Sequence, residues 1–164
     1  VCGSIAHSDP SSELPLSLAT IEGEVVLQSN SGRRTVTADD FQVDLLTTDK
    51  RPDEMIVAVR FPIGVAGTGY AFNEISRRKG DFAIVSLAAA VSETSIRLGV
   101  GGVAAIPTIR DWDELDDGQL DDALNAFAWD LGGDDDIHAT GQYRRELVRR
   151  LGRRTIMEAK ECRS

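Results

Sequence analysis

Histidine and cysteine are nearly missing from this chain, which has two of each: His7, His138, Cys2 and Cys162. Two cysteines near opposite ends make neither a disulfide framework nor a zinc-ligand spacing, so a reducing, cytoplasmic setting is expected. With so few histidines, a metal site built wholly from protein ligands is not expected either. Aromatic residues make up only 5%, which leaves valine, isoleucine, leucine and alanine to build the core. Basic charge is in deficit. Against 27 aspartates and glutamates stand 18 lysines and arginines, a net charge of −9, and this argues against nucleic acid or an anionic membrane as a partner. No apolar run is long enough to span a membrane. Gly101-Gly102 lacks the strand, Gly-x-Gly-x-x-Gly and helix of a dinucleotide fold. Asp134-Asp135-Asp136 lacks the spacing and closing glutamate of a calcium loop, and reads as a solvated turn capping the next helix.

What is present is an ordinary globular composition, 41% hydrophobic and 27% charged over 164 residues. That length supports one good core or two small ones. Residues 12 to 21 read as a short helix, with Pro15 tolerated in its first turn. Glu24 to Gln28 and Arg33 to Thr37 read as a hairpin around Asn30-Ser31-Gly32. Ala38 to Phe41 reads as a short turn or helix. Met55 to Phe61 is a strong β run stopped by Pro62. Gly64 to Gly69 has linker composition.

Tyr70 to Ile75 reads as the next strand, followed by a charged loop, Arg77-Arg78-Lys79-Gly80-Asp81. The apolar run Phe82 to Val91 fits a buried strand or a helix by length alone; a strand is favoured because Ser95 to Val103 supplies a hairpin partner. Ile106-Pro107-Thr108 is expected to end that sheet at three strands. Two helices follow, the acid-rich Asp111 to Leu131 and Ala139 to Ala159. In the second, Tyr143, Leu147, Leu151 and Thr155 repeat every four residues, with Val148 and Ile156 widening the stripe. The arginine pairs beside the stripe are expected to meet the acidic helix or a partner subunit. The fold class is therefore α+β, with modules at 1–63 and 64–164.

The most informative segment is Val1-Cys2-Gly3-Ser4-Ile5-Ala6-His7-Ser8-Asp9-Pro10-Ser11-Ser12-Glu13-Leu14-Pro15. It reads as a small-residue turn followed by a helix start at Ser11, Ser12 and Glu13. Unpaired amides at such a start favour phosphate. Alone, a Gly-Ser turn is more often a plain loop, and Glu13 more often just complements the helix dipole. His7 has no partner nucleophile identifiable from sequence, so a hydrolase triad has little support.

These residues match in order the second flavin motif of a known family, which reads approximately Thr-Ile-Gly-Gly-Ser-Leu-Ala-His-Ala-Asp-Pro-Ala-Ala-Glu-Leu-Pro. Cys2 replaces its first glycine. Further along, Asp53-Glu54-Met55-Ile56-Val57-Ala58-Val59-Arg60-Phe61-Pro62 is similar to the strand by which the family enters its C-terminal domain. Tyr70-Ala71-Phe72-Asn73 through Arg77-Arg78 to Asp81-Phe82-Ala83 is similar to its Tyr-x-Phe…Arg-Arg-x-x-Asp-Phe-Ala signature. Ala139-Thr140-Gly141-Gln142-Tyr143-Arg144-Arg145 is similar to its Ala-Ser-x-x-Tyr-Arg-Arg helix start. The chain resembles the FAD-binding medium subunit of molybdenum-containing hydroxylases, the group of xanthine dehydrogenases and aerobic carbon monoxide dehydrogenases.

The resemblance implies an FAD-binding subdomain followed by a C-terminal domain of a small antiparallel sheet packed with helices. It implies that Gly3, Ser4 and Ala6 lie near the FAD pyrophosphate and ribityl chain, with Ser12 and Glu13 hydrogen-bonding there and Asp9 a further polar contact. Ile56 packs near the isoalloxazine, and the segment from Asn73 to Ile84 passes near the ring. The implied role is electron transfer from iron–sulfur clusters in one partner subunit to FAD, with a molybdenum cofactor in another, and no catalytic acid or base in this chain. The family's first glycine-rich flavin segment precedes the matched region, so the chain is expected to be a C-terminal portion that holds FAD weakly by itself. The competing reading is a non-catalytic docking module that contributes subunit contacts through residues 66 to 164 without handling flavin.

Overall fold

The structure, a computed structural model, describes residues 1–163. It begins with two short helices, α1 (Cys2–His7) and α2 (Glu13–Thr20). They are followed by the hairpin of β1 (Glu24–Ser29) and β2 (Gly32–Thr37). A single-turn helix α3 (Ala38–Phe41) and a small ribbon, β3 (Gln42–Asp44) with β4 (Thr47–Thr48), lead to β5 (Met55–Arg60). Strands β2, β1 and β5 form an antiparallel sheet in that order. Its inner face carries Val25 and Leu27, which pack with Ile5, Leu18 and Phe41 into the first core.

Four antiparallel strands make the second sheet: β6 (Gly69–Ser76), β7 (Ala83–Val91), β8 (Ser95–Gly101) and β9 (Thr108–Asp113). Two helices complete the chain, α4 (Asp117–Asp130) and α5 (Gly141–Glu161). Helices α4 and α5 cover one face of this sheet and α2 lies on the other. That arrangement explains the unbroken apolar run of β7, which is buried on both faces and so shows no alternation. Two glycines make the packing possible. A Cβ on Gly99 would sit 2.3 Å from Thr20 Oγ1 of α2, and one on Gly69 would sit 1.8 Å from the Ala159 carbonyl of α5.

The structure corrects several expectations. Residues 2 to 7 are helical, not a turn, because Ile5 is fully buried and Ser8, in the left-handed region at φ 53°, closes the helix through its N–H to the Ser4 carbonyl. The second sheet has four strands, not three. Pro107 stands just before a strand, where its missing N–H costs no ladder bond, and Thr108–Asp113 pairs along β8. Accordingly α4 starts at Asp117 behind an Asp116–Gln119 capping box, and Asp111 and Asp113 belong to β9.

On α5 the buried stripe is Arg144, Val148, Gly152, Thr155, Ile156 and Ala159, while Tyr143 is exposed and Leu147 and Leu151 are half-buried. Gly152 draws α5 against Leu124 of α4, which rotates the stripe away from the leucines. The expected pairing with the acidic helix is present, Arg153 with Asp117 and Asp121 at 3.2 and 2.8 Å.

Candidate functional site

The site grows from the two faces of α1. Ile5 and Ser8 point into the protein, whereas Gly3, Ala6 and His7, spaced three and four apart, share the exposed face. A Cβ on Gly3 would meet nothing within 4 Å. The chain's own packing therefore places no demand for glycine there, and the bare backbone is open to something else. At the start of α2, Ser12 occupies the N-cap position in extended conformation but makes no side-chain capping bond. Its Oγ instead lies 2.9 Å from Ser4 Oγ. This ties the two helices together and leaves the first-turn amides of α2 uncapped by any side chain, a setting that favours acceptor groups. Glu13, the first residue of α2, is exposed and presents acceptor oxygens suited to hydroxyl donors.

The remaining expected residues fall in three places. Asp9 caps its own turn, accepting the Ser11 N–H at 2.8 Å through Oδ1. It also lines an open groove of about 880 Å³ with the Arg77-to-Phe82 loop, Asp136 and Arg144. Ile56, half-buried on β5, packs against the core that contains Ile5, on the same sheet face as α1. Asn73 is on the far side. Its Nδ2 donates to Glu158 Oε2 at 2.6 Å and to Thr155 Oγ1 at 3.2 Å, so it faces α5. The structure thus brings Gly3, Ser4, Ala6, Ser12 and Glu13 together with Ile56 behind them, sets Asp9 at the edge, and holds Asn73 apart.

Electrostatics knit this region to the second sheet. Burial, with the nearby Glu13 charge second, pushes the Glu74 carboxyl of β6 above its ordinary value. The Gly102 N–H donates to the Pro10 carbonyl at 2.8 Å, fastening the α1–α2 turn to the end of β8. Arg144, almost fully buried, donates to Asp136 Oδ2 at 2.8 Å and to the Asp134 carbonyl at 2.9 Å. That guanidinium, then the Ala139 and His138 N–H groups, hold Asp136 far below the usual carboxylate range.

Two supporting residues escaped sequence reasoning. Ser8 is fully buried and donates to Gln42 Oε1 at 3.3 Å, fixing the end of α1 on the β3–β4 ribbon. Nothing local marks this contact, which joins residues 34 apart. Among the described residues no three His, Cys, Asp or Glu side chains are grouped to hold a metal ion. No helix of the described residues is long and apolar enough to cross a membrane.

Residues 1–64 match the family model described as FAD binding domain in molybdopterin dehydrogenase. Residues 70–159 match the one described as CO dehydrogenase flavoprotein C-terminal domain. The nicotine 6-hydroxylase medium subunit of Paenarthrobacter nicotinovorans is 37% identical over 169 residues, covering 96% of this chain and 59% of that protein. Quinoline 2-oxidoreductase from Pseudomonas putida 86 superposes with a TM-score of 0.87 at 29% identity, over 97% of this chain and 59% of that one. Carbon monoxide dehydrogenase of Hydrogenophaga pseudoflava shares the fold at a TM-score of 0.91 and 24% identity, over 99% of this chain and 61% of that one. The chain spans less than two thirds of the length of each of these relatives.

Proposed function

The chain belongs to the family of carbon monoxide dehydrogenase flavoprotein C-terminal domains, and from that premise we propose that it is part of an FAD-binding, electron-transferring subunit of a molybdenum-containing hydroxylase. The observation that carries this reading is the open face of α1. Gly3 offers bare backbone to solvent, beside a helix start whose cap serine is turned to Ser4 instead.

In this reading Gly3, Ser4 and Ala6 lie along the pyrophosphate and ribityl chain, and Ser12 and Glu13 take hydrogen bonds there. Ile56 backs the ring and Asp9 contributes a polar contact at the edge. Asn73, committed to Glu158 and Thr155, fixes the strand from which the Arg77-to-Asp81 loop departs. When bound, the flavin supplies the redox step between a two-electron and a one-electron partner. The chain's residues bind and orient it; none is assigned acid or base chemistry. The partners are an iron–sulfur subunit and a molybdenum-cofactor subunit, and the setting is cytoplasmic.

The test is Gly3→Met in the full-length subunit. A Cβ there meets no neighbouring segment within 4 Å, the position is exposed and methionine favours helix over glycine, so folding is retained. The expected result is at least a tenfold loss of FAD affinity with an unchanged melting temperature. Unchanged flavin affinity would overturn the reading and favour a docking module without flavin.

A further inference from the structure

A second groove, at the C-terminal end of α2 rather than at its Ser12–Glu13 start, has no part in the flavin reading. It exists because α2 is too short for the sheet it covers. Eight helical residues span about 12 Å, while the nine residues of β7 extend about 30 Å. The covered part of the face lies over Gly99 and Gly101. Beyond it runs a cross-strand row, Tyr70, Ala90, Arg97 and Asp111, on four successive strands, exposed at its Tyr70 and Asp111 ends. The linker between β5 and β6 forms the far wall and holds Ile63 and Val65, 92% and 63% exposed, above the row. The hydroxyl of Tyr70 accepts the Val65 N–H at 3.2 Å and so fixes this wall. Trp112 and Leu115 close the end.

The groove's volume is about 1260 Å³. That exceeds the roughly 300–1,000 Å³ of ordinary small-molecule sites, and suits a length of polypeptide. Its charge selects the kind. Three carboxylates, Glu22, Asp111 and Asp113, line it against one cation, Arg97. Arg97 is already engaged, with Asp111 at 2.7 Å and Asp39 at 2.9 Å. The walls therefore keep an excess of negative charge beside the apolar side chains of Ile63, Val65, Tyr70 and Leu115.

We infer that this groove docks an extended segment of a partner subunit that carries an apolar side chain flanked by lysine or arginine. The inference rests on the proposal that the chain works within a hetero-oligomer. Apolar burial under Ile63 and Val65 supplies affinity, and the carboxylates set orientation and speed encounter.

The experiment uses the full-length subunit and its purified partner subunits. Ile63→Asp and the double variant Glu22→Lys/Asp113→Lys alter exposed side chains only, so folding is preserved and is checked by melting temperature. Each is expected to weaken partner association at least tenfold, and the double variant is expected to flatten its salt dependence. Flavin content of the same preparations reports separately on the α1 face and is expected to stay unchanged. Wild-type association in both variants overturns the groove as a docking site. So does a photocrosslink from position 63 that reaches only a second copy of this chain, or a segment without basic residues.

Discussion

Ser4 Oγ and Ser12 Oγ lie 2.9 Å apart, so the N-cap serine of α2 is spent on holding α1 in place. Removing it by Ser12→Ala loses one hydroxyl–hydroxyl bond of about 1 kcal/mol. It also frees the angle between the two helices that frame the α1 face. FAD affinity is expected to fall about fivefold, read by flavin fluorescence in the full-length subunit, and Ser12→Thr is expected to restore most of it. A variant that binds FAD as tightly as the parent would remove Ser12 from the site.

Arg34 grips Glu54 with two bonds, Nε to Oε1 at 2.6 Å and Nη2 to Oε2 at 2.8 Å, and the Arg51 N–H adds a third at 2.7 Å. Arg34 chiefly, with Arg51 helping, holds the Glu54 carboxyl down at about 2 against an ordinary 4.5. Because the folded value is the lower one, this stability is present above pH 4.5 and is lost as pH falls toward 2. Glu54→Gln is expected to lower the melting temperature at pH 6 and to merge with the parent below pH 2, in a series of thermal melts.

Glu74 has the opposite sign. Burial first, and then the Glu13 charge, raise its carboxyl above the ordinary value, so its ionised form is the disfavoured one in the fold. Stability from Glu74 is full below its ordinary value of 4.5 and is lost as pH rises through the folded value. Glu74→Gln is expected to melt higher than the parent at pH 7 to 8, with the gap closing below pH 4.5. Glu13→Gln is expected to shift the Glu74 titration downward in carboxyl-carbon NMR. A Glu74→Gln variant that is less stable at pH 8 would contradict this.

Much of this arrangement was legible in the chain, and the gaps have physical causes. Phe82 to Val91 could be assigned as a strand only because Ser95 to Val103 followed as its partner; the run itself has no period, being covered on both sides. Strand β9 was hidden because Asp111 and Asp113 resemble the acidic helix that follows, and an edge strand facing solvent tolerates such charge. On α5 the leucines advertised a stripe, but Gly152 sets the close approach to α4, and Arg144 is buried instead against the turn of Asp134 to Asp136. At the site, Ser12 and Glu13 were readable from cap chemistry. The Ser4–Ser12 contact was not, because it requires α1 to be a helix, which Ile5 decides by burial. The direction of Asn73 depends on which strand face meets α5, and single-residue parity of that kind is set by packing.

Gly99 tests whether the second sheet positions the α1 face through α2. A methyl group there would stand 2.3 Å from Thr20 Oγ1 and 2.8 Å from Leu16 Cδ1, both on the side of α2 that rests on β8. Thr20 cannot swing away freely, since its hydroxyl donates to the Leu16 carbonyl at 2.9 Å. Gly99→Ala therefore pushes the helix off the sheet at a cost of about 1–3 kcal/mol, a fall of roughly 2–10 °C in melting temperature. Because Ser12 and Glu13 ride on the start of the same helix, FAD affinity is expected to fall in the same variant although position 99 lies outside the site. Ala90→Ser, beyond α2 on the same sheet face, is expected to change neither. Loss of stability in Gly99→Ala with full FAD affinity would show that the start of α2 holds its place independently of the sheet beneath it.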